Sequence, residues 1–500
     1  MKILSFSLLF IMATVPVFSQ GYEITVNLKS RNDTVILGYF FTKRDKMYAA
    51  DTVVLKKGKG VFRGSKKLEN GVYFLMSDGR KLFDFIVGDN KKFGIVADST
   101  DFVNLTKFTS SPDNDVFLEF LRYHTDRGKQ FYQLSEQFQS ATSDADKNDI
   151  RAKQQALVKE RNQFIEKLAD AHKDLYVSKW LRTLVPPETH IPDPPRDDEG
   201  NIIDQNFRYH WWRAHFFDNF NIYDPDMLRT ESYEEKLFDY LTKVIPQHTD
   251  TICAEVDKIL TKAQANDDVF RFVLREVFNH YYTSKDIVRG YVVPENVWMY
   301  LAEKWYIPFA KWSTDEFIDF LKKEVPKRKP NLIGKQAPPL ENLTVLPPEH
   351  FKAAALDTAI KFDVYAGRII QDFRKEKEFE SKFTVIYFWE YSCGHCQKGI
   401  RELFNIWQEL KDKGLQVITV QVHFASREDK GKWINFVNEH ELFGWTNAWS
   451  PYTYKYKELY NVANVPVMYL LDENFNIIIR NIVAEQLKEF FDNQKNRNQL

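Results

Sequence analysis

Two cysteines separated by two residues, Cys393 and Cys396 in the run Phe388-Trp389-Glu390-Tyr391-Ser392-Cys393-Gly394-His395-Cys396, are the side chains of this sequence best suited to do chemistry. A C-x-x-C pair can cycle between dithiol and disulfide if one sulfur ionises readily and the other can reach it. At a helix start the free backbone N–H groups and the helix dipole favour negative charge, which makes Cys393 the expected nucleophile. Cys396, one turn further on and on the inner side, is then expected to attack the mixed disulfide formed on Cys393 and release the reduced partner. His395, when protonated, lowers the energy of the thiolate further, and Gly394 leaves room for a substrate backbone. Glu390 is counted with them as a tuning residue. A zinc half-site is the competing reading, but it needs two more ligands, and the third cysteine, Cys253, lies in a different region. A structural disulfide usually closes a longer loop than this one.

The elements that must position the pair are readable on either side. Thr384 to Trp389, T-V-I-Y-F-W, is the β-branched and aromatic run of a buried strand. Ile400, Leu403, Phe404, Trp407 and Leu410 recur at helical spacing, and Lys413-Gly414 supplies a cationic last turn and a stop. Leu415 to Val422 reads as a second strand, so the cysteines sit at the first turn of a βαβ crossover. In that context a C-x-x-C is a thioredoxin-like redox motif.

The block F-W-E-Y-S-C-G-H-C resembles the thioredoxin superfamily, and more closely its exported TlpA-like branch of thiol-disulfide oxidoreductases. Asn464-Val465-Pro466-Val467-Met468-Tyr469-Leu470-Leu471-Asp472 resembles the segment carrying that family's cis-proline, and Ile333-Gly334-Lys335-Gln336-Ala337-Pro338 resembles its G-x-x-A-P opening. The resemblance implies that Pro466 lies against the sulfurs and that the Val465 backbone pairs with a substrate segment, with Trp389 counted beside them as a substrate contact. On ligand count no metal is expected, and no cofactor; the expected partners are protein thiols and disulfides together with a membrane or periplasmic redox protein. Two positions depart from the family pattern. Tyr387 stands where thioredoxin carries a buried acid, and Gln397-Lys398-Gly399 replaces the Glu and Pro common after the second cysteine. The proton acceptor for Cys396 is therefore unassigned, with Glu390 and Glu402 as candidates, and reductant, oxidant and isomerase all stay open.

Met1-Lys2 followed by the apolar run Ile3 to Val17 reads as a secretory signal over residues 1–19, and the run is shorter than a membrane span requires. A periplasmic location and no stable membrane span are the expectation. The chain has 500 residues, is 44% hydrophobic and carries a net charge of -1, which suits about three domains and gives no reason to invoke nucleic acid. Short alternating segments broken by Lys57-Gly58, Asn70-Gly71 and Asp78-Gly79 predict an all-β sandwich over 20–110, with strands that include Asp51 to Leu55. Residues 111–330 predict an all-α domain, helical from about Asp113 with segments such as Phe131 to Thr142 and Lys147 to Ala171, and 331–500 an α/β thioredoxin-like domain. The His210 to Phe220 aromatic cluster is expected to be packing, Cys253 a buried small hydrophobe, and the basic stretch Tyr365 to Lys382 a helix-like insertion. The order β-domain, helical module, redox domain resembles that of many exported relatives. An alternative from another class is a cell-envelope binding protein whose β and helical parts dock a partner, the redox-like domain being an interaction module.

Overall fold

The computed structural model describes residues 21–29, 33–284, 293–341, 343–345, 368–423, 427–449 and 454–496. The expected signal segment and most of the expected insertion lie outside the described residues. The chain packs as two compact units, Met1–Val273 and Leu274–Leu500.

The first unit begins with strands β1 (Tyr22–Leu28), β2 (Thr34–Phe41), β3 (Lys43–Val54), β4 (Lys59–Gly64), β5 (Gly71–Ser77), β6 (Arg80–Val87), β7 (Lys92–Ala97) and β8 (Lys107–Thr109). They form two four-stranded sheets, ordered β4-β1-β7-β8 and β3-β2-β5-β6. Alternation does the sorting: Ile24, Val26 and Leu28 point inward from β1 and meet Leu37, Leu75 and Phe85 of the other sheet in one core. β3 is longer than the sequence suggests, because Lys43 to Ala50 is polar and largely exposed. Backbone pairing to β2 holds that edge together with ion pairs such as Lys46 to Glu234 at 2.7 Å and the stack of Tyr48 on Tyr39, so there is no alternation to read.

Helix α1 (Pro112–Ser140) has Ser111 at its cap, Pro112 in its first turn and Asp113 and Asp115 on the dipole. Its first turns bury Val116, Phe117, Leu118 and Phe120. It is followed by α2 (Asp144–Ala171), capped by the Ser143 hydroxyl. The aromatic cluster is buried only at its far end, Phe216 and Phe220, where Phe216 meets Tyr240 at 5.7 Å; Trp211 stacks on His215 at 4.0 Å, but the helix Phe207–Ala214 buries no residue, and His210 is exposed and paired with Asp204 at 2.8 Å. Cys253 is buried in the helix Thr249–Ala263.

One titratable group in this unit gives a pH signature. Lys91 is 4% exposed. Its amine donates to the Asn70 side chain at 2.6 Å and to the Gly88 carbonyl. Burial, and secondarily Lys67, pull it down to about 8. The unfolded chain holds that proton more tightly than the folded one, so stability rises with pH between about 8 and the ordinary lysine value. In urea unfolding the wild type gains about 2 kcal/mol between pH 7.5 and 9.5 relative to Lys91→Met. Parallel pH dependences of the two proteins would show that the amine is not the group responsible.

The second unit holds a seven-stranded mixed sheet ordered β10-β9-β13-β12-β11-β14-β15. The strands are β9 (Leu343–Val345), β10 (Arg368–Ile370), β11 (Phe383–Trp389), β12 (Leu415–Gln421), β13 (Thr446–Trp449), β14 (Val467–Asp472) and β15 (Ile477–Arg480). β11 is central, parallel to β12 and antiparallel to β14. Being covered on both faces, it is apolar at nearly every position, with Val385, Tyr387 and Trp389 in one core and Ile386 and Phe388 in the other. Helices α3 (Pro294–Leu301) and α4 (Asp315–Arg328) precede the sheet, and α5 (Gly394–Leu410), α6 (Arg427–Glu439) and α7 (Ala484–Asn496) belong to its first core. Gly414, at φ +87°, makes the left-handed turn that returns the chain from α5 to β12.

The basic stretch before β11 is not a helix over its described part. From 368 it forms the short strand β10 and two single turns, Phe373–Lys375 and Lys377–Phe379. Phe373 and Phe379 are buried in the sheet's second core, and Asp372 pairs with Arg374 at 2.8 Å. Charge density suggested a solvated helical face, whereas two aromatic anchors six residues apart pin the segment to the sheet.

Candidate active site

β11 ends at Trp389, and the chain turns through Glu390, Tyr391 and Ser392 before α5 begins at Gly394. The site therefore lies at the carboxyl end of the parallel pair β11 and β12, where open α/β sheets place their clefts. Cys393 is the helix cap. Its sulfur accepts the Cys396 backbone N–H at 3.4 Å, so a charge on it lies on the unsatisfied donors of the first turn. Cys393 is half-buried, and Cys396 is fully buried in the sheet's first core. Burial first, then the hydrogen bond with Cys393 and the nearby charges of Cys393 and Glu390, push the Cys396 thiol up to about 12, against a lowering contribution from the Glu390 backbone N–H.

The two sulfurs are thus unequal. In the reduced protein Cys393 is expected to alkylate first, with iodoacetamide at neutral pH modifying it at least tenfold faster than Cys396, as read by peptide mass mapping against time. Faster labelling of Cys396 would reverse the assignment of nucleophile and resolving thiol.

Gly394 and His395 are exposed on the first turn, and a Cβ at Gly394 would meet nothing within 4 Å. The face of the pair is open there. Val465–Pro466 is a cis peptide. The register Phe388↔Val467 carries Pro466 and Val465 to the same end of the sheet as the motif, and Val465 packs against the core that holds Cys396. Pro466 is exposed and Val465 half-buried. Trp389 is a correction. It is 0% exposed and lies against Phe436, with ring centroids 5.3 Å apart, so its side chain is a floor beneath the site and does not reach a docked substrate.

Several residues that position the motif were not singled out by the sequence. The loop before Cys393 is held at four points: Tyr391 N–H donates to Gln421 Oε1 at 3.0 Å, Gln397 Nε2 donates to the Tyr391 carbonyl at 2.7 Å, Tyr391 hydroxyl donates to Asp429 Oδ1 at 2.7 Å, and Cys393 N–H donates to the Glu390 carbonyl at 3.0 Å. Gln421, buried opposite Trp389, was visible only as a polar residue at the end of an otherwise apolar strand. Beneath the motif, the Tyr387 hydroxyl donates to the Cys396 carbonyl at 3.2 Å. Burial and the nearby sulfur charges hold that phenol far above its ordinary range, so it acts as a donor and not as a base. A Cβ on Gly399 would lie 2.3 Å from the same hydroxyl, which is why the helix carries glycine there. Among the described residues there is no cluster of three or more metal-ligating side chains.

Residues 381–477 match a family model described as thioredoxin-like. Residues 22–117 and 200–335 each match a family described as a domain of unknown function. Similar solved structures include a domain of possible thiol-disulfide isomerase from Cytophaga hutchinsonii, 25% identical, covering 33% of this chain and 95% of that one, with a TM-score of 0.25. A thioredoxin-like protein from Bacteroides caccae is 17% identical, covering 60% of this chain and 97% of that one, with a TM-score of 0.35. A thiol:disulfide interchange protein from a Bacteroides species is 18% identical, covering 33% and 90%, with a TM-score of 0.25. No match was found among curated proteins.

Proposed function

We propose that this chain, whose residues 381–477 are thioredoxin-like, is a thiol-disulfide oxidoreductase that exchanges the Cys393–Cys396 dithiol or disulfide with partner proteins. One observation carries the reading. A half-exposed sulfur caps a helix N-terminus, and a second, fully buried sulfur sits one turn away with its amide on the first. In the reducing direction the Cys393 thiolate attacks a partner disulfide, giving a mixed disulfide and one released partner thiolate. Cys396 then attacks the Cys393 sulfur, closing the ring and releasing the second partner thiolate. Two electrons pass to the partner, and the same steps reversed oxidise a dithiol.

The cis Val465–Pro466 turn, placed at the motif's end of the sheet, suits backbone pairing with an extended substrate segment. A periplasmic setting follows from the expected signal segment and from a disulfide chemistry that persists outside the cytosol. Among the described residues no helix is long and apolar enough to cross a membrane. The test is equilibration of the full chain with glutathione buffers of graded redox state. A single two-electron transition of Cys393 and Cys396 is expected, and its midpoint assigns the direction of exchange; thiols that stay reduced at every ratio would remove the reading.

A further inference from the structure

One sheet of the sandwich, β4-β1-β7-β8, turns a face away from the core, and alternation decides which side chains that face carries. Ile24 and Val26 of β1, Phe62 of β4, Phe93 and Ile95 of β7 and Phe108 of β8 belong to the core, so their neighbours point outward. The register then sets the outward residues in rows across the strands. The middle row is Val61, Thr25, Gly94 and Thr109. On one side of it Asn27 lies between Lys59 and Val96, with Lys107 beyond, and on the other Glu23 lies between Arg63 and Lys92.

The centre of this face is a shallow groove of about 450 Å³ whose lining includes Thr25, Asn27, Gly94 and Thr109. A Cβ on Gly94 would lie 2.5 Å from Thr109 Oγ1 and 2.8 Å from Thr25 Oγ1, so the two hydroxyls lean over the glycine from the strands on either side. Neither hydroxyl has a hydrogen-bond partner among the described residues, and the Asn27 side-chain amide has none either. Around them stand cations. Glu23 is held by Arg63 at 3.0 Å, whereas Lys59, Lys92 and Lys107 are exposed and form no ion pair among the described residues. Lys59 and Lys107 are three strand spacings apart, roughly 14 Å, and Lys92 is four residues along β7 from their row, roughly 13 Å. A single phosphate or sulfate ion cannot meet all three, but an extended anion can.

The rest of the face narrows the class. A protein partner needs an apolar centre, and this face offers only Val61 and the half-buried Val96. It carries no aromatic ring, so there is no platform for a neutral sugar or a nucleic-acid base. Lysines on the edge strands β4 and β8 also guard those edges against pairing. Edge protection does not account for Lys92 on the inner strand β7, or for two hydroxyls brought together over a glycine.

We propose that this face binds an acidic oligosaccharide, the Thr25 and Thr109 hydroxyls and the Asn27 amide taking the sugar hydroxyls and Lys59, Lys92 and Lys107 the acid groups. The site does not depend on the oxidoreductase reading. It lies within residues 22–117, which match a domain of unknown function.

The experiment is titration calorimetry of the full chain with trigalacturonate and with a chondroitin sulfate hexasaccharide, beside neutral maltotriose, hexaglutamate and single-stranded DNA. An acidic sugar should bind, and maltotriose should not. Thr25→Val with Thr109→Val keeps the β-branched shape of both strands and removes only the hydroxyls, so it should weaken binding by about tenfold or more with an unchanged circular dichroism spectrum. Lys59→Gln, Lys92→Gln and Lys107→Gln together should do the same and abolish the weakening by salt. Failure of both acidic sugars to bind overturns the proposal, as does wild-type affinity in either variant. Equal binding of hexaglutamate or DNA would show a cationic surface without sugar recognition and overturn it as well.

Discussion

Replacing Cys393 with serine lowers disulfide turnover by the full chain at least ~10³-fold, the scale expected when a nucleophile acting in concert with its partners is removed. The fold should not notice. Cys393 is an N-cap with a half-exposed side chain, and serine is among the preferred residues at that position, so α5 keeps or improves its cap. What disappears is the soft, ionisable sulfur, since a hydroxyl cannot form the mixed disulfide. Reduction of oxidised glutathione or insulin, followed beside far-ultraviolet circular dichroism, separates the two effects. Serine and wild-type proteins of equal activity would favour the docking-module alternative.

Replacing Glu295 with alanine destabilises the second unit by about 3–5 kcal/mol, because it leaves a buried charge unpaired. Arg480, on the edge strand β15, has only 8% of its side chain exposed, and its guanidinium meets Glu295 of α3 and the buried Asn331 side chain. Burial pulls that guanidinium down to about 10, so it is still charged at neutral pH. Arg328 of α4 reaches Glu295 at 3.4 Å, and Asn331 donates to the Tyr469 hydroxyl at 3.3 Å. Urea unfolding followed by the tryptophans of the unit reads the loss directly. Glu295→Ala together with Arg480→Leu should recover much of it, and a double substitution as unstable as the single one would show that the pair is not the cause.

The redox motif, its strand and its helix were legible because local rules coincide there: a buried strand reads as an unbroken apolar run, a crossover helix as spaced apolar residues, and a left-handed stop as Gly414. The β-sandwich was legible by alternation except at β3, whose exposed first half alternates nothing. Trp389 was misplaced because sequence order cannot say that the last residue of β11 points into the core while the next ones form the mouth. Gln421, Asp429 and Arg480 act through partners 30, 38 and 185 residues away, respectively, from the chain positions they steady or pair with, Tyr391, Tyr391 and Glu295. Separations of that kind leave no periodic trace.

The contact between Tyr387 and Gly399 has a historical consequence. Since any side chain at 399 would strike the buried phenol, the two positions cannot drift independently. A lineage starting from this sequence must first shrink or replace the tyrosine before the helix can accept anything larger than glycine, and the reverse order passes through a misfitted ancestor. The phenol at 387 and the glycine in α5, twelve residues apart in the chain, are therefore sterically one choice.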